Sequence, residues 1–93
     1  TGSQLLGGYP FYMKHLLLYT TTGCHLCDLA IELLQENLDL ERYQVELVEI
    51  SGSDQLIEIY GVRIPVIRDV LSGLELGWPF DRDQLLRFLH AGG

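Results

Sequence analysis

Ninety-three residues, 47% of them apolar and 20% charged, suffice for one small domain with a single core and leave no room for a second. Six basic against thirteen acidic side chains give a formal charge of −7, which argues against a basic footprint for nucleic acid or for an anionic membrane surface. The apolar runs fall far short of the roughly 20 residues that span a bilayer, and no secretory-type start is visible, so the expectation is a soluble, cytoplasmic monomer.

The uncharged opening TGSQLLGGYPFY stands before the sole methionine, Met13. Residues 1–12 are expected to be an appended or disordered N-terminal extension, and residues 13–93 a single domain. Lys14 to Thr20 reads as a buried strand, a short apolar run closed by the turn-favouring stretch Thr20 to Gly23. From Cys24 a helical period follows, with Cys27, Ala30, Ile31, Leu34 and Leu38 on one face. Leu26, Leu29 and Leu33 are expected to widen that face, and the helix to end near Asn37. Tyr43, Val45 and Leu47 alternate with polar residues as a half-buried strand, although Val48 and Ile50 shift the alternation by one. Ser51 and Ser53 are placed to cap a short helix from about Asp54 to Tyr60, which Gly61 ends.

Strand, helix, strand at this spacing is a βαβ unit, so the first two strands are expected to be parallel. Pro65 to Arg68 and Leu74 to Leu76 read as a hairpin turning through Asp69 to Gly73. Asp81 with Gln84 three residues on resembles a capping box opening a last amphipathic helix through Leu85, Leu86, Phe88 and Leu89. The predicted order is βαβαββα.

Cys24 and Cys27 are the only cysteines. A four-residue loop constrains the unfolded chain little, so the spacing favours chemistry over a structural staple. Cys24 stands where a strand gives way to a helix, close to unpaired backbone N–H groups and the positive end of the helix dipole, which favour a thiolate. Cys27, one helical turn later, falls on the same side and is placed to resolve a mixed disulfide formed at Cys24. The same spacing also supplies half of many zinc sites. Beyond the cysteines, however, the chain offers only His15, His25, His90 and carboxylates. Thiol exchange is therefore the leading reading, with a metal site shared across a dimer and inert packed thiols as its rivals.

LLLYTTTGCHLC followed by a helix, then YGVRIPVI, a hairpin and a last helix resembles the glutaredoxin branch of the thioredoxin superfamily from about Met13 to Ala91. CHLCDLA with LGWPFD is similar to a group of small glutaredoxin-like proteins. The resemblance implies a thioredoxin fold, an α/β architecture with a four-stranded mixed sheet flanked by helices. It also implies a cis Ile64-Pro65 bond beside Cys24. An X-Pro bond is where cis costs little, and it would leave a backbone edge for a peptide-like substrate.

Several residues depart from the glutathione-using pattern. Thr21 stands where those proteins carry a lysine, CHLC replaces their proline-aromatic pair, and their Gly-Gly is echoed only by Gly77. Glutathione, itself anionic, is thus a questionable partner, and Arg63 is the cation expected to border the site. Asp28 opposes a thiolate at Cys24, whereas a protonated His25 would favour it. The combined expectation is a small thiol-disulfide oxidoreductase without cofactor or metal, acting on protein or small-molecule disulfides. Cys24 and Cys27 are catalytic, Arg63, Ile64 and Pro65 bind substrate, and His25 modulates. The alternatives are a non-enzymatic binding or electron-relay module of the same fold and, more weakly, an iron–sulfur or zinc carrier across a dimer.

Overall fold

A strand sends successive side chains to opposite faces of its sheet, and the run Leu16 to Tyr19 is apolar on both. The strand that holds it must therefore be covered twice. In the computed structural model, which describes residues 14–39 and 41–91, this strand is β1 (Lys14–Thr20). The expectation for residues 1–12 lies outside the described residues. β1 is followed by α1 (His25–Asn37), β2 (Tyr43–Glu49), α2 (Asp54–Tyr60), β3 (Val66–Asp69), β4 (Glu75–Gly77) and α3 (Arg82–Ala91), in the order predicted. The four strands form one mixed sheet, β2-β1-β3-β4, with β1 parallel to β2 and antiparallel to β3.

Leu16 and Leu18 point to one face, where they pack with Ala30 and Leu34 of α1, Ile67 of β3, and Leu85, Phe88 and Leu89 of α3. Leu17 and Tyr19 point to the other, joining Val48, Val66, Leu56, Tyr60 and Ile64. This division explains the apparent slip in β2. Tyr43 and Val45 face α1 and α3, whereas Val48 faces α2, so the strand changes the face it buries without losing its pleat. Being an edge strand, β2 leaves Leu47 exposed beside a shallow apolar groove against Ile31, Leu34 and Leu38.

α1 is covered over a narrower stripe than its composition suggests. Cys27, Ala30 and Leu34 are buried, but Leu26 and Leu29 are exposed. At about 100° per residue these two lie some 100° or more around the helix from Cys27, beyond the reach of one flat sheet. The caps follow the sequence more closely. Ser53 Oγ accepts from Leu56 N–H at 3.2 Å, and Asp81 and Gln84 exchange reciprocal bonds of 2.8 and 3.0 Å. Gly61 does end α2, yet with helical rather than left-handed dihedrals. A Cβ there would stand 2.5 Å from the Ile57 carbonyl oxygen, so glycine serves clearance and not φ.

The strand directions sort the loops by end. At one end, buried Asp69 accepts from the N–H groups of Leu71 and Ser72 at 2.9 and 3.3 Å, and its other oxygen lies 3.7 Å from Lys14 Nζ. Lys14 Nζ also donates to the Leu89 carbonyl at 3.0 Å, tying β1 to the last turn of α3. The opposite end gathers the C-termini of β1, β2 and β4 and the start of β3. Its register is Thr20 beside Glu49, Tyr19 beside Val66 and Val66 beside Gly77.

Candidate functional site

The loop from Thr20 to Cys24 leaves the sheet at that second end. Cys24 N–H donates to the Thr21 carbonyl at 3.3 Å, closing a tight turn that Gly23 completes at φ 80. An L side chain at that φ is strained, which accounts for glycine in TTTGC. Cys24 itself is extended and is the N-cap of α1. Its Sγ accepts from the Cys27 N–H at 3.1 Å, the part a serine or aspartate oxygen plays in an ordinary cap.

The two cysteines differ in access. Cys24 is half-buried, while Cys27 is 1% exposed beneath it, on the stripe that packs against the sheet. They are joined as a disulfide, with Cα atoms 5.2 Å apart. An attacking molecule therefore meets the Cys24 sulfur, while Cys27 is reached through Cys24. His25 and Asp28 are exposed in the first turn of α1.

Ile64-Pro65 is cis, as expected, and so is Trp78-Pro79, which no feature of the sequence had marked. Pro65 is buried and immediately precedes Val66, the partner of Tyr19, so the sheet carries it to the end where Cys24 lies. Trp78 N–H donates to the Pro65 carbonyl at 3.0 Å. The Trp78 ring meets Phe80 edge-on at 5.1 Å, and both pack on the core with α3. The WPF segment thus fastens the Pro65 loop as well as covering the last helix.

Arg63 is engaged by the β3–β4 hairpin and by Tyr60. Its Nη2 donates to Glu75 Oε1 at 2.8 Å and its guanidinium carbon lies 5.2 Å from the centre of the Tyr60 ring. Glu75 is the hub of this cluster, accepting also from the Tyr60 hydroxyl at 2.6 Å and, more loosely, from Arg68 at 3.5 Å. The Tyr60 hydroxyl, then Arg63, hold the Glu75 carboxyl below its ordinary range. Burial, then the bond to Glu75, pushes Tyr60 up to about 12.

Glu49, the last residue of β2, meets the loop that leads to Cys24 and was not among the residues expected there. One carboxylate oxygen accepts from Thr22 Oγ1 at 3.0 Å and the other from Ser51 N–H at 3.0 Å. These contacts, with the Ser51 N–H foremost and the Thr21 hydroxyl next, hold its carboxyl at about 2. Parallel pairing of β1 with β2 was legible in the βαβ spacing, and it alone would have set the end of β2 beside the TTTG loop. Among the described residues, no three His, Cys, Asp or Glu side chains come together as metal ligands would, and no helix is long and apolar enough to cross a membrane.

A family model for the Glutaredoxin-like domain (DUF836) matches residues 15–90. The X-ray structure of Northeast Structural Genomics target protein XcR50 from X. campestris is similar at 41% identity and a TM-score of 0.73, over 82% of this chain and 96% of that one. No curated protein matches. With the strand order, the half-buried cysteine at the head of α1 and the Pro65 loop at the same end of the sheet, the fold is thioredoxin-like, and the chain belongs to the glutaredoxin-like domain family.

Proposed function

We propose that the protein is a thiol-disulfide oxidoreductase acting on protein or small-molecule disulfides. In the reduced protein the Cys24 thiolate attacks one sulfur of the substrate disulfide, whose S–S bond breaks as the other sulfur leaves as a thiolate and takes up a proton. The Cys27 thiolate then attacks Cys24 in the mixed disulfide, releasing the second substrate thiol and closing the Cys24–Cys27 bond. Two electrons pass from the cysteine pair to the substrate. The observation that carries this reading is the unequal access of the pair, Cys24 half-buried on the helix cap and Cys27 1% exposed. The Cys27 N–H at 3.1 Å from the Cys24 sulfur and the dipole of α1 both favour negative charge on that atom.

The Pro65 carbonyl accepts from Trp78 and the Ile64 N–H donates to the Tyr60 carbonyl at 3.0 Å, so the backbone group left for a peptide-like substrate is the Ile64 carbonyl. Arg63, expected to bind substrate, gives its guanidinium to Glu75 and serves by fixing the segment that leads to Pro65.

Trapping separates the roles. Cys27→Ser should accumulate a mixed disulfide with a small disulfide or a protein substrate, and Cys24→Ser should not. Equal trapping by both variants would refute the assignment. A redox titration that finds no reversible two-electron couple would replace the oxidoreductase by a binding module of the same fold.

A further inference from the structure

We propose that Glu49 is a specificity-determining residue of this site, whose fixed carboxylate turns away anionic disulfides such as oxidised glutathione and favours neutral and cationic ones. The inference rests on the thiol-exchange reading and names the substrate class that exchange selects.

The position is built, not incidental. Register sets Glu49 beside Thr20, the residue from which the Cys24 loop departs. Thr22 Oγ1 and Ser51 N–H hold one carboxylate oxygen each, both at 3.0 Å, so the charge cannot swing away as a free surface glutamate would. Thr22 is two residues from Cys24, which places the carboxylate on the order of 10 Å from the sulfur. The group is anionic at any physiological pH, since Ser51, Thr21 and Thr22 hold its carboxyl at about 2.

Among the described residues no lysine or arginine is placed against it, and His25, exposed in the first turn of α1, carries a positive charge only in its protonated form. Asp28, in the first turn of α1, adds a second negative charge. Among the described residues, the cation adjoining Ile64-Pro65 is Arg63, and its guanidinium is paired with Glu75 at 2.8 Å. Lys14 lies at the far end of the sheet against Asp69, and Arg42 lies beside Asp39. A substrate approaching the Cys24 sulfur therefore enters a negative field. At about 10 Å and a water-like dielectric, one fixed charge changes the encounter by about 2-fold per unit of substrate charge, so cationic and anionic disulfides of like size separate by about 4-fold.

The test uses the whole protein, reduced with a dithiol that is then removed, and follows formation of the Cys24–Cys27 disulfide by stopped flow. The probes are cystamine, hydroxyethyl disulfide and oxidised glutathione, which are cationic, neutral and anionic. Each leaves as two thiols as the cysteine pair is oxidised. The expected order of rates, relative to reaction of each probe with a free small thiol, is cationic, neutral, anionic, with a spread of about 4-fold or more at low salt that shrinks as salt is added. Glu49→Gln should shrink the spread by about half or more, chiefly by speeding oxidised glutathione. Thr22→Val, which removes a ligand of the carboxylate but not its charge, should keep the order. Glu36→Gln makes the same charge change about 18 Å along α1 from Cys24 and should leave the spread as it is. An unchanged spread in Glu49→Gln, an equal loss in Glu36→Gln, or oxidised glutathione as the fastest probe would overturn the inference while leaving thiol exchange standing. No reaction with any probe would overturn the exchange reading and this inference together.

Discussion

Tyr60→Phe isolates one interaction, because phenylalanine keeps the ring that stacks on Tyr19 at 4.0 Å between centroids and removes only the hydroxyl that donates to Glu75 at 2.6 Å. A hydrogen bond to a charged group contributes about 1.5–3 kcal/mol when buried. The Glu75 side chain is 23% exposed and keeps Arg63 at 2.8 Å, so water and the guanidinium recover part of the loss. The expected cost is about 1–2 kcal/mol. Urea unfolding of the oxidised protein should show a lower midpoint with an unchanged slope, and the melting temperature should fall by about 4–8 °C per kcal/mol.

The cost should also depend on pH in a way a packing defect would not. Glu75 has a lowered folded pKa, so its contribution is full above the ordinary value of 4.5 and is lost as pH falls through the folded value. Tyr60 has a raised one, about 12 against 10.0, so its contribution is full below 10.0 and is lost as pH rises through 12. The gap between wild type and Tyr60→Phe should therefore be widest near neutral pH and close at both extremes. A gap below about 0.5 kcal/mol near neutrality, or one that stays constant across the range, would refute the reasoning.

Two further outcomes follow from the same core. Leu85→Ala, at a position 0% exposed between α3 and the sheet, should cost about 2–5 kcal/mol in urea unfolding; less than about 1 kcal/mol would mean the site is looser than its burial implies. Spectrophotometric titration should find a late tyrosinate component near 12 that disappears in Tyr60→Phe, and its persistence would assign the perturbed hydroxyl elsewhere.

Much of the architecture was legible because its signals are local. Glycine at φ 80 before Cys24, serine before α2 and the Asp81–Gln84 pair mark element ends through backbone chemistry acting within four residues. What escaped depends on partners distant in sequence. Leu26 and Leu29 look like core in a list of apolar residues and are exposed because one sheet covers only one side of α1. Arg63 looks free beside Ile64-Pro65, until a hairpin folds Glu75 against it from twelve positions away. Glu49 reads as the solvent-facing end of an alternating strand, and only the parallel pairing with β1 sets it on the cysteine loop.

The same comparison of short and long range decides how acidic surroundings coexist with a nucleophilic cysteine. The Cys27 N–H touches the Cys24 sulfur at 3.1 Å, and the first turn of α1 presents its positive end there, shielded from solvent on the buried side. Such contacts contribute about 0.3–1 kcal/mol for the helix terminus at exposed sites, up to about 2 kcal/mol where partly buried, and more with a hydrogen bond directed at the charge. Glu49 acts from on the order of 10 Å through solvent, where water and salt weaken the effect of a unit charge. The near donor outweighs the distant carboxylate at the sulfur itself. An incoming disulfide has no such donor, and for its charged groups the field of Glu49 and Asp28 is the uncompensated term. Reactivity and selectivity are thus set by different residues, which is why neutralising Glu49 should narrow the spread between substrates without switching the cysteine on or off.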